Sequence, residues 1–118
     1  MKAMFVNSKE VPYASLIVAG DKVFETRSRN MLSALVGERV AVVETGRGVP
    51  MVVGYVNVVS ASHYNHFTAC DAYEFTYVPG HSKYASNQWF YRLSEPKRCS
   101  PYPLPSSAVR HGRSWCEF

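Results

Sequence analysis

One long β-strand near the middle of the chain constrains the fold more than any other feature. Residues 51–59 read Met-Val-Val-Gly-Tyr-Val-Asn-Val-Val, a valine-rich run that follows a turn-forming Thr-Gly-Arg-Gly segment. Such a run favours a strand that is buried on at least one face. Gly54 interrupts it, and a glycine inside a strand indicates a bulge or a sharp bend. The sequence therefore predicts a curled sheet or barrel built around this strand.

Shorter patterns predict the other strands of that sheet. They are apolar or alternate between apolar and polar residues, and they lie at residues 1–6, 22–28, 39–44, 89–93 and 114–118. By contrast, the four prolines between Pro96 and Pro105 predict an extended segment with few sheet hydrogen bonds, because proline lacks a backbone N–H.

Two helices are predicted between these strands. The first covers residues 11–18, with Ser8 as its N-cap and Gly20 as its stop. The second covers residues 65–75 and is capped by Asn65 or Thr68. Five or six short strands with two interposed helices predict a small α+β domain around a mixed sheet or barrel.

Length and composition predict one soluble domain spanning residues 1–118. Apolar residues make up 47% of the chain and charged residues 19%, a globular balance without an apolar run of the roughly 18 residues that span a bilayer. The three cysteines, Cys70, Cys99 and Cys116, are an odd number in a chain without a predicted signal peptide, which favours free thiols. We therefore expect a cytoplasmic protein that has no membrane partner.

The charge balance favours an anionic partner. Thirteen Lys and Arg against nine Asp and Glu give a net charge of +4, and aromatic residues make up 14% of the chain. Nucleic-acid surfaces combine basic and aromatic residues, although solubility and apolar cores use the same residues. The basic excess is concentrated in residues 96–118, which hold four Lys or Arg and the single acid Glu117.

The densest polar cluster is Gly20-x-Lys22-x-x-Glu25-x-Arg27. Strand alternation places Glu25 and Arg27 on one face, with Lys22 at the mouth of the strand. An amine, a carboxylate and a guanidinium this close together are suited to acid–base chemistry, because each charge shifts the pKa of its neighbours. The same residues on a solvated face would form an ordinary ion pair of little energetic consequence.

Residues 12–27, Pro-Tyr-Ala-Ser-Leu-Ile-Val-Ala-Gly-Asp-Lys-Val-Phe-Glu-Thr-Arg, closely resemble the opening motif of the ASCH domain, a family of the PUA-like superfamily. Gly37-Glu38-Arg39-Val40 matches the family's next strand, residues 55–61 match the strand after it, and residues 89–93 and 112–115 resemble its late strands. The resemblance implies a PUA-like small mixed β-barrel with two or three short helices. It also implies a cleft lined by the Gly-x-Lys-x-x-Glu-x-Arg motif.

Members of the ASCH family are expected to bind RNA or nucleosides, some resemble ribonucleases, and a small branch hydrolyses the acetyl amide of N4-acetylcytidine. In that branch the working residues are a lysine, a threonine three positions later and a glutamate in the helical region after the central strands. Lys22 matches the lysine, whereas Glu25 stands in place of the threonine, and Thr26 points by strand alternation to the other face. Asp71 or Glu74 stands for the distant acid. The resemblance therefore makes Lys22, Glu25 and Glu74 the candidate catalytic residues.

The candidate ligand-binding residues are basic or aromatic and extend beyond the motif. They are Tyr13, Lys22, Arg27, Arg47, Trp89, Tyr91 and Arg113. The Arg47 turn offers backbone N–H groups and a guanidinium to a phosphate, or forms a plain hairpin. Trp89 and Tyr91 share one face of a strand. Their rings either stack against bases or fill the core.

The polar residues His63, His66 and Cys70 have the atom types of a zinc site but lack a fourth ligand, and a helix start explains them as well. We predict no metal and no other cofactor.

Three functions are consistent with these patterns. The first is an RNA- or nucleotide-binding module that holds an anionic ligand in the cleft. The second is a hydrolase for a modified nucleoside, or a ribonuclease, using Lys22 and Glu25. The third is an interaction module without chemistry, which would present an exposed apolar patch. We predict the binding module, acting as a monomer or weak dimer on RNA, a nucleoside or a nucleotide.

Overall fold

Seven strands form a single mixed sheet. The computed structural model describes all residues from Met1 to Phe118. The strands follow one another across the sheet in the order β2-β5-β4-β3-β1-β7-β6. Only β1 and β3 pair in parallel, and the other neighbours are antiparallel. The strands are β1 (Lys2–Asn7), β2 (Phe24–Arg27), β3 (Arg39–Thr45), β4 (Met51–His63), β5 (Trp89–Pro103), β6 (Val109–His111) and β7 (Trp115–Glu117).

Two short α-helices and two 3₁₀ turns connect the strands. Helix α1 covers Tyr13–Ala19 and α2 covers Tyr73–Thr76, while the 3₁₀ turns lie at Ser33–Leu35 and Ala69–Ala72. Neither helix has the length and apolar character that crossing a bilayer requires. The prediction of a small α+β domain is therefore confirmed.

The predicted end of α1 is confirmed, whereas its predicted N-cap and the predicted extent of α2 are wrong. Gly20 ends α1 in the left-handed conformation, as predicted. Ser8 precedes the N-cap Pro12, yet its hydroxyl accepts the Ala14 N–H at 3.1 Å and so serves one free donor of the first turn. Thr68 forms a reciprocal capping box with Asp71, but the helix after it is much shorter than the predicted 65–75.

The sheet is open rather than closed into a barrel. Strands β2 and β6 are its two edges, and no backbone pairing joins them. The predicted barrel is therefore not confirmed, although the sheet is strongly curled. The curl is shown by the Arg27 side chain on β2, which reaches the Phe5 carbonyl oxygen on β1, and by the cavity that residues of both edge strands, Arg27 and Arg110, line together. The candidate site described below lies in this cavity.

The centre of the sheet is buried on both faces, which explains its nearly continuous apolar runs. Met4 and Val42 face a core beneath α1, while Phe5 and Val43, the next residues along, face a second apolar cluster. Side chains alternate between faces along a strand, so a strand covered on both sides needs apolar residues throughout.

The extended segment predicted at the prolines belongs to β5, which continues through them to Pro103 and pairs with β4. Residues beyond Arg92 no longer pair with β2, so β4 is the only strand that pairs with this half of β5. Proline is tolerated on such an edge because its missing N–H faces no partner. Register shifts absorb the irregular spacing, one of them beside Glu95, which has a left-handed φ of 49°.

The bulge predicted at Gly54 is confirmed by register shifts on both sides of β4. A Cβ atom at this position would lie 2.6 Å from Val18 Cγ1 and nearer still to the Lys97 carbonyl oxygen. Glycine is therefore required here so that α1 and β5 can both approach β4.

We expect Gly54→Ala to lower the free energy of unfolding by about 3 kcal/mol, because the added methyl group must push apart backbone as well as a side chain. Gly80→Ala is the matched control, since a Cβ atom there meets nothing within 4 Å. We expect it to change stability by less than about 1 kcal/mol. Urea unfolding of both variants measures this difference, and equal losses would contradict the packing role of Gly54.

Candidate functional site

A cavity of about 520 Å³ opens between the two edges of the sheet. Its walls come from β1, the start of α1, β2, the loop before β5 and the turn between β6 and β7. The residues that line it are Phe5, Asn7, Tyr13, Lys22, Glu25, Thr26, Arg27, Ser28, Met31, Thr45, Val78, Tyr84, Asn87, Arg110, Gly112, Arg113 and Ser114. Four of these side chains are basic and only one is acidic, so the cavity is suited to an anion.

Arg27 joins the edge strand β2 to β1 across the gap. Its Nη2 atom donates to the Phe5 carbonyl oxygen at 2.6 Å and to Glu25 Oε2 at 2.9 Å. The Phe5 oxygen is available because β7 pairs with β1 only as far as Met4. The guanidinium therefore links the edge strand β2 to β1, which lies two strands in from the opposite edge.

Lys22 is buried at the inner end of the cavity, with only 1% of its surface exposed. Its Nζ atom donates to the Thr76 carbonyl oxygen, lies 3.4 Å from Glu25 Oε1 and sits 4.9 Å from the centre of the Tyr13 ring. Burial lowers the pKa of this amine, and the nearby Glu25 carboxylate only partly offsets that effect. Lys22 is therefore easier to deprotonate than an ordinary lysine.

Glu25 holds the two basic groups together. Burial alone would raise its pKa, but the charges of Arg27 and Lys22 and the hydrogen bonds from Arg27 and the Thr26 N–H outweigh burial and lower it. The carboxylate is thus ionised at neutral pH, with Lys22 at one oxygen and Arg27 at the other. It can orient or accept, but it is poorly suited to donate a proton.

The Tyr13 hydroxyl is buried against the cavity and has no hydrogen-bond partner in the protein. Burial raises its pKa to about 12, and the neighbouring Ser82 hydroxyl partly counters this without reaching hydrogen-bond geometry. The group therefore keeps its proton and is free to donate it. Buried polar groups are almost always paired, so the Tyr13 hydroxyl calls for a partner that the protein itself does not supply.

Two further basic residues lie on the hairpin formed by β6 and β7. Arg110 and Arg113 are exposed at the cavity mouth, on either side of Gly112, whose φ of 68° makes the turn. The Arg110 guanidinium lies 4.8 Å from the centre of the Phe5 ring. The hairpin is tied to β1 by the Phe5 N–H, which donates to the Ser114 carbonyl oxygen.

The structure brings five of the predicted site residues to this cavity: Tyr13, Lys22, Glu25, Arg27 and Arg113. The other four predicted residues are elsewhere, as follows.

Glu74 is exposed on α2 and does not line the cavity. Arg47 donates from Nε to the Ser8 carbonyl oxygen at 2.6 Å, so its guanidinium is engaged in fixing the turn. Neither residue is placed to reach a ligand held by Lys22.

Trp89 and Tyr91 do not form a stacking surface at the cavity. Tyr91 is fully buried, and its hydroxyl donates to Asn30 Oδ1 at 2.8 Å. Trp89 is half-buried and packs against the His63 ring, with 5.0 Å between the ring centres. The described residues contain no group of three His, Cys, Asp or Glu side chains that could hold a metal.

Sequence reasoning missed several lining residues, above all Thr26 and Asn87. Strand alternation places Thr26 opposite Glu25, yet both line the cavity, because β2 is an edge strand whose free side borders it. The Asn87 amide donates to Thr26 Oγ1 at 3.3 Å across 61 positions of sequence. No local pattern indicates such a pairing, so only the fold could identify Asn87.

Solved structures with the same fold come from an ASCH protein of Zymomonas mobilis. Its crystal structure has a TM-score of 0.64 and 18% sequence identity, over 87% of this chain and 73% of that one. A tyrosine-to-phenylalanine variant of that protein has a TM-score of 0.64 and 18% identity, over 87% of this chain and 75% of that one. A serine-to-alanine variant has a TM-score of 0.62 and 19% identity, over 86% of this chain and 74% of that one. No protein-family model and no curated protein matches the sequence. The ASCH fold expected from residues 12–27 is therefore confirmed.

We expect Glu25→Gln to lower the free energy of unfolding by about 3 kcal/mol at pH 7, because the buried Lys22 and the half-buried Arg27 lose their carboxylate. Since the folded pKa of Glu25 lies below its ordinary value, its contribution is present above about pH 4.5 and is lost as the pH falls further. The difference in stability between wild type and variant should therefore become smaller below pH 4.5. Thermal melts at several pH values measure it.

Glu38→Gln is the control, because Glu38 forms an exposed ion pair with Lys2. Exposed pairs contribute less than about 1 kcal/mol. A Glu25 variant that differs from wild type by the same amount at every pH would contradict the ionised state assigned here.

Proposed function

We propose that this domain binds RNA or a nucleotide in the cavity between its sheet edges. The observation that carries the proposal is a cavity lined by four basic side chains and one acidic side chain. Its volume of about 520 Å³ lies within the range of about 300–1,000 Å³ that is usual for small-ligand sites. A phosphate-bearing ligand with a planar base matches both the charge and the size.

The unpaired Tyr13 hydroxyl supports a ligand with a hydrogen-bond acceptor. A buried hydroxyl without a partner destabilises the folded state by about 1–3 kcal/mol. A ligand oxygen or ring nitrogen beside Tyr13 would remove that penalty on binding. The unpaired Tyr13 hydroxyl thus adds to the free energy of binding for a ligand that accepts its hydrogen bond.

The ASCH fold is consistent with this ligand class, because the family that residues 12–27 resemble is expected to bind RNA or nucleosides. The three cysteines are free, which accords with the cytoplasmic location we expect. We further expect a monomer or weak dimer.

A second candidate is hydrolysis of an acylated nucleoside or of RNA, and the observation that favours it is the lowered pKa of Lys22 at 3.4 Å from Glu25. Once neutral, Lys22 could take a proton from the attacking water or hydroxyl group. Glu25, which stays ionised, would orient the amine rather than serve as the acid. Lys22 would have to turn from the Thr76 carbonyl oxygen, to which it now donates.

The binding proposal predicts opposite effects of Tyr13→Phe on stability and on binding. We expect the affinity for a single-stranded RNA oligonucleotide to fall by about twofold to tenfold, the equivalent of one lost hydrogen bond. Stability should stay equal or rise by up to about 1 kcal/mol, because no partner in the protein is left unpaired. Fluorescence titration and urea unfolding measure the two effects.

Tyr102→Phe is the matched control, because the Tyr102 hydroxyl bonds to the Tyr55 hydroxyl at 2.8 Å outside the cavity. We expect this variant to lose about 1 kcal/mol of stability and to keep its affinity. Wild-type affinity should fall steeply between about 50 and 200 mM salt. Absent or salt-independent RNA binding would overturn the proposal.

The hydrolase candidate predicts that Lys22→Met abolishes release of acetate from N4-acetylcytidine while the circular dichroism spectrum is retained. Methionine fills most of the buried volume without an amine. The exposed Arg98, on β5 and outside the cavity, supplies the control, and Arg98→Gln should keep wild-type turnover. Wild-type protein that releases no acetate would contradict deacetylation and leave the binding proposal standing.

A further inference from the structure

We infer, resting on the proposed function, that a nucleotide lies in the cavity with its base at the inner end, beside Tyr13 and Glu25, and its phosphate at the mouth, on Arg110 and Arg113. The basic side chains at the inner end contact a carboxylate, whereas those at the mouth have no acidic partner. This difference fixes the orientation of the ligand.

At the inner end, both basic side chains already contact the same carboxylate. Glu25 lies 3.4 Å from Lys22 and 2.9 Å from Arg27, and the side chains of Lys22 and Glu25 are 1% and 9% exposed. A phosphate placed there would lose its hydration and would face a buried carboxylate of the same charge. The inner end therefore disfavours the anionic part of a ligand.

The charges at the mouth have no acidic partner. The ion pairs of the chain involve Lys2, Lys22, Arg27 and His111, and none involves Arg110 or Arg113. Both guanidiniums are exposed and so keep their hydration until a ligand arrives. Two arginines beside one opening are well suited to hold a phosphate through several charge-assisted hydrogen bonds.

The inner end instead presents aromatic surface and neutral polar groups. The Tyr13 ring meets the Tyr84 ring edge to face, with centres 6.3 Å apart. The Tyr13 hydroxyl is an unpaired donor. The Asn87 amide nitrogen is bonded to Thr26 Oγ1, which leaves the Asn87 carbonyl oxygen to accept. A planar, uncharged ring with both donors and acceptors at its edge, such as a nucleobase, matches these groups.

The orientation predicts that base and phosphate contribute through separate residues. The test is calorimetric titration of the four ribonucleosides and their 5′-monophosphates at about 50 mM salt, where charge contacts are weakly screened. We expect wild type to bind its preferred monophosphate about tenfold or more tightly than the matching nucleoside. The double variant Arg110→Gln/Arg113→Gln should reduce that ratio to about threefold or less and leave the nucleoside affinity within about twofold.

Two comparisons separate the orientation from general effects of charge and stability. Arg98→Gln, which also removes an exposed arginine, should leave the affinity ratio at the wild-type value. Tyr13→Phe should weaken nucleoside and monophosphate by the same factor, because it acts on the base. Both mouth arginines are exposed, so the variants are expected to fold, and Arg113→Gln alone tests the same point if the double variant does not.

Equal weakening of nucleoside and monophosphate by the double variant would overturn the orientation while leaving the proposed function intact. RNA binding without measurable binding of any nucleoside or monophosphate would do the same. If wild type binds neither RNA nor any of these probes, the proposed function fails, and the orientation fails with it.

Discussion

The contact between Arg27 and the Phe5 carbonyl oxygen, at 2.6 Å, is the interaction on which the site depends. Without it, β2 would be a four-residue edge strand held to the sheet by β5 alone. The Arg27 side chain spans the gap between β2 and β1, and the cavity lies in that gap. Glu25 stabilises this contact, because its carboxylate offsets the cost of partly burying the Arg27 guanidinium.

The same contact accounts for the perturbed chemistry of Lys22. Arg27 fixes Glu25 from one side, and Glu25 in turn fixes the amine of Lys22 from the other. The positive charge of Arg27 adds to burial in lowering the pKa of Lys22. The structural bridge and the lowered pKa of Lys22 are therefore properties of one network, and substitution at any member changes both. Controls outside the network are thus essential for separating folding from function.

The features that could be predicted from sequence are those set by local geometry. Gly20 ends α1 because a left-handed residue is needed there, and Gly54 marks a bulge because α1 and β5 crowd β4. The features that could not be predicted depend on distant contacts. Local sequence gives no sign that β5 continues as a strand through its prolines, because this depends on the absence of a neighbouring strand on one side. It also gives no sign that Asn87 bonds to Thr26. The sequence predicts Arg113 as a binding residue from its charge, but not the hairpin of β6 and β7 that brings it to the cavity.

Binding and hydrolysis would use this cavity in different protonation states. A binding site gains from a charged Lys22, which keeps Glu25 neutralised and the inner end rigid. A hydrolase needs the amine neutral, and then only Arg27 remains to balance Glu25. Because Lys22 donates to Thr76 and faces Glu25 in the structure described, its contacts are those of an ammonium group. This arrangement favours the binding proposal, because catalysis would require a ligand that displaces the Thr76 contact and removes the proton from Lys22.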